Sequence, residues 1–311
     1  VSPVESPAER LYYEDPTLGF TASITDIRLV SREGADHLWQ LAFDRTAFYP
    51  TGGGQPHDTG VLIATAPSGT TLEVPVERVE EDDAGEVWHF VRKPLNEGTQ
   101  ITGRIDAARR MDHAQQHSGQ HLLSAIFLRE FAAPTVSFHL GADSVTIDLA
   151  IERITDDDLQ RIELAANHEI YANHTIHPRW VARDEAEAML ARGDLRKLPE
   201  REGPMRIVTM QSIEHNACGG THVASTGAIG SILLRRVEKN KKNQRVEFVC
   251  GLRAVMAARR DLTVLRQTAS LLSTGMSDLP ARVEKLLQDN KSTAKELKAL
   301  KRLHADASTG A

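Results

Sequence analysis

Several features are scarce in this 311-residue chain, and each scarcity excludes something. Cysteine occurs only as Cys218 and Cys250, too few for a disulfide framework, so a reducing, cytoplasmic home is expected. No run of about 18 apolar residues occurs, so no membrane-spanning helix is expected. Basic residues are not in excess. The 37 Lys and Arg stand against 43 Asp and Glu, a formal charge of −6. A nucleic-acid partner would therefore have to be met by a local patch rather than by bulk charge. Val1 to Arg10 lacks a hydrophobic stretch and carries Glu5 and Glu9, which speaks against a secretory signal. No fixed-period repeat is visible.

What remains is ordinary globular material, 41% hydrophobic and 26% charged, enough for a real core. The length suggests two domains with an appendage. Histidine is the telling residue: there are 13, and they cluster.

The first hundred residues read as β-structure. Ala22–Val30, Leu38–Phe43, Val61–Ala64, Leu72–Val79 and Val87–Val91 alternate apolar and polar positions between turn residues. The acidic run Glu80–Asp83, followed by Ala84-Gly85, reads as a solvated hairpin turn. Many short strands predict a small barrel or a strongly curved sheet. A helix is expected from Ala107 to about Glu130, with Leu122, Leu123, Ile126 and Phe127 at helical spacing. Strands follow at Thr135–Leu140 and Ser144–Ile151. Thr155 then reads as an N-cap ahead of Asp156–Asp158, opening a helix to about Asn173. A short helix over Asp184–Arg192 and strands over Met205–Ile213, Gly230–Glu238 and Arg245–Cys250 complete the middle.

From Leu252 the pattern is helical, broken at Ser273–Pro280 and resumed from Ala281 to His304. There Val283, Asn290, Leu297 and His304 form a weak heptad with Leu286, Thr293 and Leu300. Packing as a helical hairpin is the simple reading; a homodimer through the C-terminal helices is the other. The expected fold class is α+β. Its regions are a barrel-like N-terminal domain over 1–100, an α+β domain with an antiparallel sheet over 101–251, and a helical tail over 252–311.

Three histidines, His113, His117 and His121, recur at four-residue intervals on the predicted helix. His117 and His121 can thus converge on one ion, although such a pair alone also suits surface or core histidines. Gly119 inside the helix costs about 1 kcal/mol relative to alanine, so something is expected to approach the backbone there. The second motif is Cys218-Gly-Gly-Thr-His222, a thiolate and an imidazole on a loop that two glycines let fold inward. Together His117, His121, Cys218 and His222 form a zinc set of nitrogen and sulfur ligands. A peptidase of the H-E-x-x-H type is excluded because Ser118 stands where its glutamate would be. A nucleobase deaminase is excluded because Cys218 lacks a C-x-x-C partner.

These two motifs, with Ala47-Phe-Tyr-Pro-Thr-Gly-Gly-Gly-Gln-Pro-His-Asp-Thr-Gly60, resemble the alanyl-tRNA editing protein family (AlaX), stand-alone relatives of the editing domain of alanyl-tRNA synthetase. The segment Arg206–Gly251 is similar to the additional domain shared by threonyl- and alanyl-tRNA synthetases. The resemblance implies zinc-dependent deacylation of Ser-tRNA(Ala), and often of Gly-tRNA(Ala). It also implies that the longest members continue beyond the helical segment into a further domain. His117 and His121 match the first zinc pair, and Cys218 and His222 the second. Phe48, Thr51, Gly52, Gly53 and Gly54 match the glycine-rich element near the editing pocket. Where synthetase editing domains typically carry a threonine that meets the serine hydroxyl, this chain has Gln120.

Gln116, Gln120, Thr221 and His113 are the candidates to orient water or substrate, with a structural role also open to His113. The metal itself could be catalytic, or closed by four ligands and positional. The competing readings are a tRNA- or partner-binding module with purely structural zinc, and a deacylase of another mischarged tRNA, as in threonyl systems, against which the Phe48–Gly60 motif argues. For the tRNA, the basic hairpin Arg235, Arg236, Lys239, Lys241, Lys242 and Arg245, together with Arg109 and Arg110, offers phosphate contacts; a solvated turn is the plainer alternative.

Overall fold

The computed structural model describes residues 8–14, 18–33, 36–66, 68–200 and 202–309. Most of the segment read against a secretory signal, residues 1–7, lies outside them. The chain begins with β1 (Glu9–Arg10), β2 (Gly19–Glu33), β3 (Asp36–Phe43), β4 (Arg45–Thr46) and β5 (Gly60–Thr65). It continues through β6 (Thr71–Val76), β7 (Arg78–Glu81), β8 (Val87–Val91), β9 (Gln100–Ile105) and the long helix α1 (Ala107–Phe131). Next come β10 (Thr135–Leu140), β11 (Val145–Leu149), α2 (Asp156–Ala172), β12 (Ile176–Val181) and α3 (Arg183–Arg192). β13 (Met205–Met210), β14 (Glu214–Ala217), β15 (Ile232–Asn240), β16 (Asn243–Cys250), α4 (Gly251–Leu271) and α5 (Leu279–Thr309) complete it. Two units result, residues 1–254 and 255–311. The mixed α+β class holds.

Within the first unit, seven strands form one antiparallel sheet in the order β6-β5-β9-β2-β3-β8-β7. β2 is its hinge. Residues Gly19–Ser23 pair with β9, whereas Ile24–Glu33 pair with β3. Register shifts at Ile24/Asp26 and Leu29/Ser31 bend the strand, as β-bulges do. The sheet thereby folds over a core that includes Ile24, Leu41, Phe43, Phe48 and Leu62. Among the described residues no pairing joins β6 to β7, so the sheet is curved but its order is open. The run Leu72–Val79, expected as one strand, divides at Glu77 into β6 and β7, which lie at opposite ends of the sheet. Pro75 fits because β6 is an edge. In the β7–β8 hairpin the Asp82 carboxylate accepts from Ala84 N and Glu86 N, both at 2.9 Å, and from Trp88 Nε1 at 2.8 Å.

Two smaller antiparallel sheets, β10-β11-β16-β15 and β12-β13-β14, belong to the second half of the unit. The four-stranded one contributes to a core with α1 and α2 that contains Leu122, Ile126, Phe127, Ile147, Ile162 and Phe248. α2 opens on a complete capping box between Thr155 and Asp158. α1 is capped by the Asp106 carboxylate, which accepts from Ala108 N and Arg109 N. Its buried side is polar through the first four turns, which obliges Arg110, Gln116, His117, Ser118 and His121 to find partners. Arg110 meets Asp58 through two nitrogens and donates to Ala47 O at 2.6 Å. The Gln116 amide exchanges hydrogen bonds with Cys250 N at 2.8 Å and Cys250 O at 3.0 Å. Gly119 explains itself: a β-carbon there would collide with Cys250 Sγ.

In the second unit α5 is helical as expected, but every residue from 281 to 305 is exposed, Leu286, Leu297 and Leu300 included. The expected helical-hairpin packing does not cover this face. Among the described residues no helix is long and apolar enough to cross a membrane.

The Arg110–Asp58 pair, with side chains 8% and 0% exposed, anchors α1 to the first sheet. Removing one member strands the other as a buried charge. Asp58→Ala is therefore expected to lower the unfolding free energy by about 3–5 kcal/mol in a urea titration. A loss below about 1 kcal/mol would show that the anchor is dispensable.

Candidate metal centre

Helix α1 stacks His117 and His121 one turn apart, and the loop after β14 brings Cys218 and His222 to them. One ligand atom from each of the four lies within 4.8 Å of the others. Cys218 Sγ is 3.4 Å from both His117 Nε2 and His222 Nε2. Ligands about 2.0 Å (nitrogen) and 2.3 Å (sulfur) from a shared tetrahedral zinc would lie about 3.5 Å apart, so the spacing suits such an ion. Gly220 makes the approach feasible, since any β-carbon there would run into the His117 ring.

Each imidazole is aimed by an outer partner. His117 Nδ1 donates to Gln55 Oε1 at 2.8 Å, which leaves Nε2 with its lone pair facing the thiol. His222 Nδ1 lies 3.1 Å from Ser118 Oγ, which also accepts from Val223 N at 3.2 Å. His121 Nδ1 meets Glu214 Oε1 at 3.0 Å, with the Asn216 amide 2.9 Å from the same nitrogen. Glu214 in turn pairs with Arg196. Arg206, only 5% exposed, donates to Tyr13 O, Cys218 O and Gly220 O at 3.1, 2.8 and 3.0 Å, and so braces the loop from behind.

The electrostatics suit a metal. Burial opposes ionisation of Cys218, but the facing imidazoles of His117, His222 and His121 outweigh it and hold the thiol well below its ordinary value. Burial holds His222 neutral, its pKa lowered to about 3. A thiolate with a neutral imidazole is what a divalent ion requires of its ligands. Cys250 behaves oppositely: burial pushes its thiol up, and it packs as an inert apolar group.

The four residues predicted as ligands are those that converge. The remaining predicted site residues fall into different surroundings. Thr221 is adjacent: its N and Oγ1 both bond to Gln55. Gln120 is buried beside the ligands and donates to Ser124 Oγ at 2.8 Å. Gln116 is directed to the Cys250 backbone instead. His113 is buried, with Nδ1 lacking a partner among the described residues; burial, then Arg109, lowers its pKa to about 4.

In the glycine-rich element, Gly54 has no room for a β-carbon against the Phe138 ring, whose centroid is 5.5 Å from that of His117. Thr51 is exposed and bonds His57 Nδ1 at 2.9 Å, with Gly52 and Gly53 beside it. Phe48 departs from expectation. It is fully buried in the first core, edge-on to Phe20 and His89, within an irregular run in which Thr46 to Pro50 are all buried. Arg110 departs too: Asp58 buries it, whereas Arg109, one helical step before it, stays partly exposed and donates to His57 O at 2.9 Å. Arg235, Arg236, Lys239, Lys241 and Lys242 are exposed on the β15–β16 hairpin, while Arg245 is held by Asp148 at 2.7 Å. Sequence reasoning missed Gln55, Ser118, Glu214, Asn216 and Arg206. Gln55 and Ser118 carried a signal, standing inside the glycine-rich and histidine motifs.

Comparison with known proteins bears on this geometry. Residues 205–247 match the family described as threonyl and alanyl tRNA synthetase second additional domain, and residues 2–109 match that of tRNA synthetases class II (A). The chain is 32% identical to an alanine–tRNA ligase of Pyrococcus furiosus, over 94% of the chain and 31% of the ligase. It is 35% identical to alanyl-tRNA editing protein Aarsd1-A of Xenopus laevis, over 80% of the chain and 58% of that protein. Aarsd1 of Bos taurus is 33% identical, over 81% of the chain and 55% of its own length. The chain thus spans a little over half the length of these editing proteins and under a third of the ligase's.

Gln55 is the outer partner most open to test. Gln55→Leu is expected to weaken divalent-metal binding about 10–100-fold in a chelator competition, with Gln55→Glu restoring most of it. Equal affinity in Gln55→Leu and the parent protein would show that this hydrogen bond does not orient His117.

Proposed function

We propose, given that this chain belongs to the alanyl-tRNA editing protein family, that it is a trans-editing hydrolase, cytoplasmic, acting on mischarged tRNA(Ala). The proposed substrate is Ser-tRNA(Ala), with Gly-tRNA(Ala) second. The convergence of His117, His121, Cys218 and His222 beside the glycine-rich loop is the observation that carries the reading. These four residues would hold a zinc ion, which when bound would stabilise charge at the ester carbonyl or lower the pKa of a water to about 7.

The reaction is the hydrolysis of an activated ester. Water oxygen bonds to the carbonyl carbon, the ribose oxygen leaves and takes a proton, and free serine and tRNA result. The chain's part is orientation. Gln55, Ser118 and Glu214 hold the three imidazoles at fixed angles, and Arg206 holds the loop that carries Cys218. Gln120 is the proposed partner of the serine hydroxyl. Its Nε2 is occupied by Ser124, which leaves the amide oxygen to accept. A site built to bond that hydroxyl leaves buried polar atoms unpaired when alanine is present, and Ala-tRNA is spared for that reason.

Phosphates of the tRNA would be met by Arg235, Arg236, Lys239, Lys241 and Lys242 on the exposed hairpin, with Arg109 contributing at the start of α1. The exposed Leu286, Leu297 and Leu300 of α5 support self-association through the C-terminal helices. A second reading, purely structural zinc in a tRNA-binding module, is favoured by one feature: four protein donors are already present, and structural zinc sites are closed by four.

Deacylation of Ser-, Gly- and Ala-tRNA(Ala), with zinc content measured in parallel, decides between them. Loss of serine with alanine spared, abolished in His117→Ala, is the expected result. Zinc-loaded protein that binds tRNA and hydrolyses none of the three would establish the binding module. For the hairpin, the Lys241→Glu, Lys242→Glu double variant is expected to weaken tRNA binding and to flatten the plot of log affinity against log salt by about 1 per lost contact. An unchanged slope would remove the hairpin from the interface.

A further inference from the structure

Strand β10 carries an irregularity that turns a hydroxyl inward in place of a valine. Opposite β11, Leu140 pairs with Val145 and Phe138 with Ile147, on the core side of the two strands. Strict alternation would set Val136 next in that row, opposite Leu149. A bulge between Thr135 and Ser137 intervenes, and Thr135 takes the place opposite Leu149 instead. Val136 is left 54% exposed, while the Thr135 hydroxyl reaches α1. Core packing gains nothing from that exchange, so the hydroxyl has another use.

Its partner is Ser124. The two oxygens are 2.7 Å apart, and Ser124 Oγ also accepts from Gln120 Nε2 at 2.8 Å. Ser124 is 1% exposed, so its single proton requires an acceptor inside the protein. With Gln120 donating, Thr135 Oγ1 is that acceptor among the described residues, and Thr135, partly exposed, keeps its own proton for solvent. The direction of this chain of bonds fixes the amide. Its nitrogen faces Ser124, and its oxygen, without a partner among the described residues, is turned away. Gln120 stands three residues after His117 and immediately before His121, on the flank of α1 that carries both imidazoles. The Phe138 ring of β10 lies 5.5 Å from that of His117, so the strand also borders the candidate centre.

An amide alone reads hydroxyls ambiguously, because it can present either N–H or C=O. We infer that Thr135 and Ser124 are positioning residues that remove this ambiguity: they hold the Gln120 oxygen toward the amino acid, so that the site selects a hydroxyl donor; the inference rests on the editing reading above. Without Thr135 the Ser124 proton loses its acceptor and turns to Gln120, and the amide rotates to meet it. The N–H groups then face the amino acid, and the proton of a serine hydroxyl has no acceptor there. Glycine has no hydroxyl and does not sense the change.

Thr135→Val tests this, because it removes only a hydroxyl from a partly exposed strand residue. Release of serine and of glycine from the two charged forms of tRNA(Ala) is measured on the full chain, with metal content followed in parallel. The serine-to-glycine ratio of kcat/KM is expected to fall about 10–100-fold in Thr135→Val and to keep its parent value in Thr135→Ser. In a Gln120→Leu background Thr135→Val should change nothing further, since both act through one amide. Should Thr135→Val fail to fold, Ser124→Ala carries the same expectation. A parent-like ratio in the folded variant, equal losses for serine and glycine, or an undiminished effect in the absence of Gln120 would overturn the assignment. Hydrogen exchange of the Gln120 side-chain amide, followed by NMR, separates this inference from the editing reading. Exchange is expected to quicken in Thr135→Val, and unchanged exchange overturns the assignment even where serine is released. A parent protein that hydrolyses neither ester, with exchange quickened in the variant, sinks the editing reading and leaves the amide orientation standing.

Discussion

The side-chain amide of Gln55 is the contact on which the candidate centre depends. It is 1% exposed, and it spends its oxygen on His117 Nδ1 and Thr221 N and its nitrogen on Thr221 Oγ1. One residue of a glycine-rich turn thus fixes the tautomer of one proposed ligand and the path of the loop carrying two others. A buried amide with all its bonds internal is costly to disturb, since each orphaned partner loses its solvation without compensation. The arrangement also explains why the first sheet must be held rigidly to α1. The Arg110–Asp58 pair does so two turns before His117, where a shift of the helix would pull His117 off Gln55.

Charge is distributed with similar economy. The Cys218 thiolate faces three imidazoles and has the Arg206 guanidinium behind its loop. Arg206 itself carries a lowered pKa, burial being the main cause and the thiolate among the groups opposing it. Glu214, the carboxylate in hydrogen-bond contact with the ligand set among the described residues, is divided between His121 and Arg196. Glu214 apart, a chain of net charge −6 thereby surrounds this cluster with cations and neutral donors.

Much of this could be read from the sequence where the deciding interactions are local. Four-residue histidine spacing nearly matches the 3.6-residue turn, so His117 and His121 declared a shared face. Thr155 ahead of three aspartates declared a cap, and Asp158 closes its box. What could not be read depends on contacts distant along the chain. Gln55 lies 62 residues from His117, and Glu214 lies 93 from His121. β14, Glu214-His-Asn-Ala217, carries no apolar alternation, and β12 contains Pro178 among charged and polar residues, so neither registers as a strand. Arg109 and Arg110 look alike in sequence, yet one step of about 100° around the helix buries the second and leaves the first partly exposed. Phe48 belongs to a loop motif by its neighbours and to a core by its side chain.

The position after His117 shows how one substitution of role reshapes the chemistry available. In the H-E-x-x-H arrangement that residue is the general base. Here Ser118 is fully buried and occupied, bridging His222 Nδ1 and Val223 N, so the helix turn that could have supplied a base supplies a brace. Glu214 is equally committed. A peptide bond would demand more assistance than this, whereas an aminoacyl ester is already activated and asks mainly for alignment and charge stabilisation. On the proposed editing reading, selectivity then has to reside in what aligns the substrate rather than in the power of the base. Groups whose polar capacity is not exhausted among the described residues include the Gln120 amide oxygen, His113 Nδ1 and the Tyr12 hydroxyl.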